Sequence, residues 1–305
     1  MTYPKTLRVG TRKSLLATTQ TNWLIATLKK AHPTIRVETV EIVTKGDRIL
    51  DLTLSKVPGK GLFVKEIEDR LLSGEIDLAV HSMKDLPTEL PDGLRIGATS
   101  IRENVCDVLV SRHNQNLQEL PAGVKIGTSS LRRKVQVLAA RPDCKIVDIR
   151  GNIDTRLKKS ETDDYDGILL AAAGLHRMGW KNRIQQYLDT DIMIPAVGQG
   201  ALGVEIREDD EQTQKLIAVL NDEMTGKCVQ AERIFLKEMG GGCQTPIGAH
   251  CTIASGVARF SAFASEESGE KAQRLSFQGD LLKADEFAYE AASRLSHLAT
   301  IHQYA

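Results

Sequence analysis

The sequence predicts an α/β protein in which doubly wound sheets are followed by a smaller α+β domain. Short apolar, β-branched segments alternate with segments whose apolar residues recur at helical spacing. After about residue 221 this regular alternation ends. Alternating strands and helices are typical of sheets covered by helices on both faces, and the change of pattern indicates a further domain.

The first segments follow this order closely. Strands are predicted at residues 7–10, 37–43 and 76–80, and helices at 15–30 and 63–73. The apolar residues Leu16, Trp23, Leu24 and Leu28 are compatible with one face of the first helix, and Pro33 ends it. Gly74 is placed to end the second helix in a left-handed conformation.

The same pattern returns in the middle of the chain. Strands are predicted at 124–126, 145–149, 168–170 and 201–206, with a helix that ends at Ala140. Gly10-Thr11 and Gly127-Thr128 each end a strand and precede Ser and Arg residues. Two domains of related design explain this similarity, and chance resemblance between strand-to-helix turns explains it equally well.

The C-terminal part is predicted to contain a helix at 225–238, a strand at 257–264 and a helix at 283–298. Between the first two lies the loop GGGCQTP, in which three glycines precede Cys243. Such a loop is conformationally free and costs folding entropy. Taken alone, Cys243 has the character of a small apolar residue beside a turn.

Composition excludes several classes of protein. The chain has 305 residues, 41% hydrophobic and 26% charged, which is ordinary for a soluble globular protein. Its 40 basic and 40 acidic residues cancel, and aromatic residues make up only 4%, so we expect no nucleic-acid partner. The N-terminus lacks the apolar core of a signal peptide and no segment is long enough to span a membrane, which predicts a cytoplasmic protein with reduced cysteines. No CxxC or HExxH spacing is present, and no metal is predicted.

Polar residues collect where the predicted strands end, in the motifs GTRKS, HSMKD, GTSSLRR, RGNIDTR and VGQG. In open α/β sheets the ligand site lies at the carboxyl ends of the strands, where helix N-termini present free N–H groups. The cations of these motifs are Arg12, Lys84, Arg132, Arg133, Arg150 and Arg156, and the hydroxyls are Ser14, Ser82, Thr128, Ser129 and Ser130. Singly, each is explained as a helix cap or a solvated surface charge. Together they predict a site for an anion with several carboxylates or phosphates.

Three further features of the sequence bear on the chemistry of this site. Asp85 is a carboxylate beside Lys84 at a basic strand end, suited to acid–base chemistry or to stabilising positive charge, or else an ordinary helix-start aspartate. Residues 198–203 match GxGxxG, but the following residues continue as a strand, so dinucleotide binding is not expected. Lys56 and Lys60 lie in a glycine-bearing stretch that we interpret as a lid over the site.

The motifs KGLFVKEIE, DLAVHSMKDLP, GTSSLRR, RGNIDTRL, PAVGQGA and GGCQTPIG together resemble those of the porphobilinogen deaminase family, also called hydroxymethylbilane synthases. The resemblance implies two α/β domains like those of periplasmic binding proteins, flanking a cleft, and a small α+β C-terminal domain. The implied boundaries are 1–99 with 197–220 for domain 1, 100–196 for domain 2 and 221–305 for domain 3.

The resemblance also implies an activity. Members of the family are ammonia-releasing transferases of tetrapyrrole (haem) biosynthesis that condense four porphobilinogen molecules into linear hydroxymethylbilane. It implies a cytoplasmic monomer that binds the small molecule porphobilinogen and neither nucleic acid nor membrane. It further implies a dipyrromethane cofactor, made from substrate and held by a thioether to the cysteine of the glycine loop, Cys243.

Residue roles follow from the same resemblance. Asp85 is the implied catalytic carboxylate, which stabilises pyrrole nitrogens that become positive as the amine leaves and an azafulvene forms. The implied cofactor-binding residues are Cys243, Asp85, Ser82, Lys84, Thr128, Ser129, Arg132, Arg133 and Arg156. The implied substrate-binding residues are Arg12, Ser14, Lys56, Lys60, Phe63, Arg150, Arg156 and Gln199.

Two other functions compete with this one. A non-catalytic anion-binding protein with the same two-lobed architecture would need the same basic strand ends. An enzyme with Cys243 as nucleophile would need a histidine to activate it, and His81 and His250 are the candidates.

Overall fold

The structure is a computed structural model that describes residues 6–48, 64–241, 245–266 and 268–298. Within these ranges the chain forms two compact units. One contains residues up to 103 together with 201–226, and the other contains 104–200 together with 227–298. The chain therefore leaves the first unit, builds most of the second, and returns to the first before completing the second.

The strands and helices of the described residues alternate along most of the chain. The strands are β1 (Leu7–Arg12), β2 (Val37–Ile42), β3 (Leu78–Ser82), β4 (Leu94–Thr99), β5 (Asp107–Ser111), β6 (Lys125–Gly127), β7 (Lys145–Val147), β8 (Gly167–Ala171), β9 (Gln186–Leu188), β10 (Leu202–Arg207), β11 (Ile247–Ala254), β12 (Val257–Ser265) and β13 (Ala272–Asp280). The helices are α1 (Leu15–Ala31), α2 (Lys45–Arg48), α3 (Lys65–Leu72), α4 (Leu131–Ala140), α5 (Ile153–Lys159), α6 (Ala172–Arg177), α7 (Glu211–Ile217), α8 (Glu223–Glu238) and α9 (Ala284–Leu295).

The first unit contains a five-stranded sheet in the order β2-β1-β3-β10-β4. Strands β1, β2 and β3 are parallel, and β10 runs antiparallel to both of its neighbours. Apolar residues cover both faces of this sheet. Leu24 and Leu28 of α1 pack with Ile217 of α7 on one face, and Ile67 and Leu71 of α3 pack on the other. This two-sided core is the doubly wound arrangement.

The second unit contains a sheet with the same design, in the order β7-β6-β8-β5-β9. Its first three strands are parallel and β5 is antiparallel to both neighbours. Val137 of α4 belongs to the core on one face, and Leu157 of α5 and Leu175 of α6 belong to the core on the other. The shared strand order and directions support the first explanation of the Gly-Thr similarity, namely two domains of related design.

The second unit also contains a three-stranded antiparallel sheet in the order β11-β12-β13. Helices α8 and α9 supply the apolar residues that bury one face of it. Phe235 of α8 and Phe260 of β12 are both fully buried and meet edge to face, with ring centroids 6.1 Å apart. This is the small α+β domain that the sequence predicted.

The three-stranded sheet is attached to the second five-stranded sheet by close contacts. Arg274 of β13 donates to the carbonyls of Asp191 and Ile192 and, at 2.8 Å, to the side chain of Gln136 in α4. Phe263 of β12 packs against Val135 of α4 and Ile194. These two parts of the second unit therefore share a packed interface.

The predicted fold class is confirmed: two helix-covered α/β sheets and a smaller α+β domain. One strand differs in position, since 76–80 was predicted and β3 spans Leu78–Ser82. Ile76 is buried in the core but lies outside the ladder, whereas His81 and Ser82 pair with Gly203 and Leu202 of β10. The GxGxxG stretch leads into β10 and not into a helix, as expected. Within the described residues, no helix is long and apolar enough to cross a membrane.

Candidate active site

The parallel strands of the first sheet bring several predicted site residues into one pocket. Strands β1 and β3 are neighbours and end at the same edge, so the residues that end or follow them lie close together. Arg12, Ser14, Ser82 and Asp85 line a single pocket there, together with His81. We call it the Asp85 pocket. It combines a cation, two hydroxyls, an imidazole and a carboxylate.

Arg12 is paired with a carboxylate that the sequence analysis did not single out. Both Nε and Nη2 of Arg12 donate to the carboxylate of Asp47, with Nε 3.2 Å from Oδ2. Asp47 also accepts from the backbone N–H and the hydroxyl of Thr44. Burial alone would raise the pKa of Asp47, but the hydrogen bonds from Arg12 and Thr44 outweigh it and hold that pKa below its usual value. Asp47 therefore stays ionised and neutralises Arg12.

The two serines of the pocket have structural partners as well. Ser14 is the N-cap of α1, and its hydroxyl accepts from the backbone N–H of Ala17 at 3.3 Å. The hydroxyl of Ser82 accepts from the side-chain amide nitrogen of Gln20 at 3.0 Å and donates to the amide oxygen of the same side chain at 3.4 Å. A hydroxyl that accepts one hydrogen bond keeps its own hydrogen for another partner. Ser14 can therefore cap α1 and still donate to a ligand, whereas a ligand at Ser82 competes with the amide oxygen of Gln20 for the hydroxyl hydrogen.

Asp85 lies at the end of the short 3₁₀ turn Met83–Asp85 that follows β3. Met83 is buried and anchors the turn, whereas Lys84 is half-buried and Asp85 is exposed. The carboxylate of Asp85 is thus within reach of a molecule in the pocket.

In the second unit, one buried carboxylate joins two predicted arginines. Asp107 is the first residue of β5 and is fully buried. Nη1 of Arg132 lies 2.6 Å from its Oδ2, and Nη2 of Arg133 lies 2.7 Å from its Oδ1. Burial would raise the pKa of Asp107, but the two guanidinium charges hold it far below its usual value.

The predicted hydroxyls of this unit bind backbone groups. Ser129 donates to the carbonyl of Ile149 at 3.0 Å and accepts from its N–H at 3.1 Å, which joins the ends of β6 and β7. The hydroxyl of Thr128 accepts from the N–H of Ser130, and Ser130, not Thr128 or Ser129, caps α4. These residues shape the strand ends from which α4 begins.

Gln199 is buried and joins the same cluster. Its side-chain amide donates to the carbonyl of Val105 at 2.7 Å and to Oδ1 of Asp107 at 3.1 Å. The glutamine of VGQG therefore lies against Asp107, although 92 residues separate the two in sequence.

Arg150 and Arg156 follow β7 at the same edge of the second sheet, and both are half-buried. Nε of Arg156 donates to the carbonyl of Gly151 at 2.8 Å. Gly151 has φ +107°, and a Cβ there would lie 2.7 Å from Thr155, so this turn requires glycine. The carbonyl of Gly151 in this turn therefore fixes the Arg156 side chain near the first residues of α5.

Three buried titratable groups, His81, Glu205 and Glu68, lie close enough to interact, and His81 lines the Asp85 pocket. Nε2 of His81 lies 2.9 Å from Oε2 of Glu205, the distance of an ion pair, but the two atoms are not aligned for a hydrogen bond. Burial, reinforced by the charge of Glu205, raises the pKa of Glu68 to about 7. Across the described ranges, no group of three or more His, Cys, Asp or Glu side chains is arranged to hold a metal ion.

Four predicted site residues lie outside the described residues: Lys56, Lys60, Phe63 and Cys243. Of the residues that the prediction missed, Asp47 follows β2 at the same edge as the other motifs, so the strand-end rule applied to TKGDR would have found it. Asp107 begins an antiparallel strand and Glu205 lies inside one, and neither position carries a local signal.

Comparison with known proteins points to one family. The family model described as porphobilinogen deaminase, dipyromethane cofactor binding domain, matches residues 7–215, and the model for the C-terminal domain of the same family matches residues 226–297. A porphobilinogen deaminase from Geobacillus kaustophilus is 56% identical over 264 residues, which cover 86% of this chain and 85% of the relative. One from Bacillus velezensis is 58% identical over 250 residues, which cover 82% of this chain and 80% of the relative.

Among solved structures, a lipoprotein of the YaeC family from Enterococcus faecalis covers 78% of this chain and 98% of its own, with 16% identity and a TM-score of 0.45. No conclusion about this chain depends on so weak a likeness. The two family models, in contrast, span nearly all of the described chain, and the relatives share more than half of their aligned residues with it. The chain belongs to the porphobilinogen deaminase family.

Proposed function

We propose that the polar strand ends of this chain bind the carboxylates of porphobilinogen and its oligomers, with Asp85 as the catalytic carboxylate. As a member of its family the chain is a hydroxymethylbilane synthase, a transferase of tetrapyrrole biosynthesis that uses a dipyrromethane cofactor. It joins four porphobilinogen molecules stepwise into linear hydroxymethylbilane and releases ammonia. A non-catalytic anion-binding protein is not favoured.

One observation carries the assignment of Asp85. Asp85 lines the same pocket as Arg12 and Ser14, so a single molecule there meets both a cation and a carboxylate. Porphobilinogen carries two carboxylates and a pyrrole N–H, which match these two kinds of group. A pocket designed only to hold an anion has no use for an exposed carboxylate, because like charges repel.

The chemistry of Asp85 follows from this placement. When the amine of porphobilinogen leaves, positive charge develops on the pyrrole nitrogen. A fixed carboxylate that accepts a hydrogen bond from that N–H stabilises the charge as it forms. Arg12, Ser14, Arg150, Arg156 and Gln199 are the proposed substrate-binding groups among the described residues, with Lys56, Lys60 and Phe63 proposed from the sequence.

The donors of the second sheet fit a cofactor with several carboxylates. Arg132 and Arg133 share one carboxylate, Asp107, so the three side chains together keep one positive charge. Thr128, Ser129 and Arg156 lie at the same edge of that sheet, and Ser82, Lys84 and Asp85 complete the proposed set. When bound, the dipyrromethane supplies the pyrrole carbon to which the first substrate is joined. Its proposed point of attachment is Cys243.

We also propose the finer organisation of the protein. Residues 1–99 with 197–220, residues 100–196 and residues 221–305 form three domains, and each of these ranges contains one of the three sheets. We also propose a cytoplasmic monomer that binds porphobilinogen. The balance of 40 basic and 40 acidic residues leaves no general attraction to nucleic acid or to an anionic membrane surface.

Replacing Asp85 by asparagine tests the proposal. Asp85→Asn keeps the shape of the side chain and removes its charge, so kcat should fall by about a hundredfold or more, while the protein still carries its cofactor. Asp92→Asn is the matched control, because Asp92 is also an exposed aspartate of the first unit but does not line the pocket. Near-normal turnover by Asp85→Asn would remove Asp85 from the mechanism.

A further inference from the structure

We propose that Asp107 is a positioning residue that orients Arg132 so that one edge of its guanidinium remains available for a ligand carboxylate. The inference rests on the proposed function, in which that carboxylate is a side chain of the cofactor or of the growing pyrrole chain. It assigns a role to Asp107, which lies outside the predicted motifs, and it gives Arg132 and Arg133 different roles.

The hydrogen bonds of Arg132 all leave from one nitrogen. Its Nη1 donates to Oδ2 of Asp107 at 2.6 Å and to the carbonyl of Ile194 at 2.7 Å, which uses both hydrogens of that nitrogen. Among the described residues, no acceptor binds Nε or Nη2 of Arg132. These two nitrogens form the edge of the guanidinium plane that binds a carboxylate with two parallel hydrogen bonds.

In Arg133, the corresponding edge of the guanidinium, formed by Nε and Nη2, is bound by Asp107. Its Nε and Nη2 both donate to Oδ1 of Asp107, at 2.9 and 2.7 Å, and its Nη1 donates to the carbonyl of Leu169 at 3.0 Å. The bidentate edge of Arg133 is therefore occupied by Asp107. Arg133 acts by holding Asp107, and Arg132 is the arginine of this pair that faces a ligand.

The charges of the cluster favour an anion. Asp107 is 0% exposed, Arg132 is 4% exposed and Arg133 is 6% exposed, so two guanidinium charges meet one carboxylate in a place with little water. The two arginines hold the pKa of Asp107 far below its usual range, so Asp107 is ionised near neutral pH. One positive charge is left over, and a single ligand carboxylate neutralises it with little loss to solvent screening.

The position of Asp107 in the sheet supports the same conclusion. Asp107 pairs with Ala171, the last residue of β8, at the edge where the parallel strands end. Ligands of α/β sheets bind at this edge. Asp166 lies at the opposite end of the same pair of strands, directly before β8, and binds Arg112 at 2.8 Å. The pair formed by Asp166 and Arg112 is thus comparable to the Asp107 cluster but lies away from the ligand edge.

This arrangement provides a matched experiment on the full-length protein. Wild-type protein, Asp107→Asn and Asp166→Asn are purified from the same host, and intact mass, thermal midpoint and steady-state kinetics are measured for each. Asp107→Asn should lower the ratio of cofactor-loaded to unloaded protein about tenfold or more, because a charged hydrogen bond is lost. It should also raise KM by a larger factor than it lowers kcat. Asp166→Asn should lose stability but keep the wild-type ratio and KM.

Two outcomes would overturn the inference. One is an Asp107→Asn protein that is folded and has the loaded ratio and KM of Asp166→Asn. The other outcome uses Arg132→Lys, which retains the positive charge but lacks the bidentate edge, and it applies even if Asp107→Asn does not fold. Wild-type cofactor loading and KM in Arg132→Lys would show that the edge binds no ligand carboxylate. Failure of the proposed function itself looks different, because wild-type protein would then carry no added mass.

Discussion

Gly248 of β11 lies where the three-stranded sheet meets the second α/β sheet. A Cβ at this position would lie 2.7 Å from the carbonyl oxygen of Pro195, 2.9 Å from that of Ile194 and 3.1 Å from Cδ of Arg132. Carbon atoms do not approach oxygen this closely, and backbone carbonyls cannot rotate away as the tip of a side chain can. Gly248→Ala must therefore push the two layers apart.

The size of the effect follows from these contacts. Overpacking of a tight interior costs about 1–3 kcal/mol, and two backbone clashes place Gly248→Ala towards the upper end. At about 2 °C per kcal/mol for a chain of this length, the thermal midpoint should fall by roughly 4–6 °C. Scanning calorimetry of the purified protein measures this shift.

Gly226 provides the control. It lies in the first turn of α8, and a Cβ there meets no atom within 4 Å. Gly226→Ala should leave the midpoint unchanged or raise it, because alanine restricts the unfolded chain more than glycine does. If Gly248→Ala and Gly226→Ala unfold at the same temperature, the contacts at Gly248 do not have the importance argued here.

Two other predictions concern the cofactor and a buried carboxyl. Intact wild-type protein should be heavier than its sequence by two pyrrole units, and Cys243→Ser should abolish that excess; an unmodified mass in active enzyme would contradict the attachment. The pKa of Glu68 in the folded protein, about 7, lies above its ordinary value of 4.5, so its contribution to stability is present below about pH 4.5 and is lost as pH rises through 7. Glu68→Gln should therefore show a smaller fall in thermal midpoint between about pH 5 and 8 than wild type, and superimposable profiles would refute the assignment.

Elements whose apolar residues follow a regular period were predictable from sequence. Helix α1 was predicted at 15–30 and spans Leu15–Ala31, and β12 was predicted at 257–264 and spans Val257–Ser265. In both, local pattern and tertiary packing demand the same conformation, so reading the pattern is enough.

Strands without such a pattern were missed. In β13, Arg274 and the glutamines interrupt the apolar residues, because this edge strand buries only Leu275 and Phe277 in part against α9. In β5 every residue is buried, but the strand begins with a charged residue, Asp107, whose burial is possible only with two arginines from α4. Its place in the sheet depends on that distant pairing, which no window of sequence contains.

The candidate site was predictable as a set of motifs but not as a set of contacts. The strand-end rule located Arg12, Asp85 and Arg132 because the fold brings the ends of parallel strands together. It could not show that Arg12 pairs with Asp47, or Arg132 with Asp107, since the partners are 35 and 25 residues apart.

These pairings give Arg12 and Arg132 different ways of binding a carboxylate. In the first sheet, Nε and Nη2 of Arg12 are both bound by Asp47, so a ligand carboxylate that takes this edge must displace a carboxylate already present. In the second sheet, Asp107 binds Nη1 of Arg132, and no acceptor among the described residues binds the corresponding edge, so a ligand carboxylate there adds to the cluster without displacing a described partner. Because the ligand carboxylate must displace Asp47 from Arg12, its binding is weaker and more easily reversed. Reversible binding suits a substrate that has to leave the site after each addition. A carboxylate that adds to the preorganised guanidinium of Arg132 binds more strongly. Strong binding suits a cofactor that is held permanently. Under the roles proposed for these two arginines, the Arg12 edge therefore suits exchange of a substrate carboxylate, and the Arg132 edge suits retention of a cofactor carboxylate.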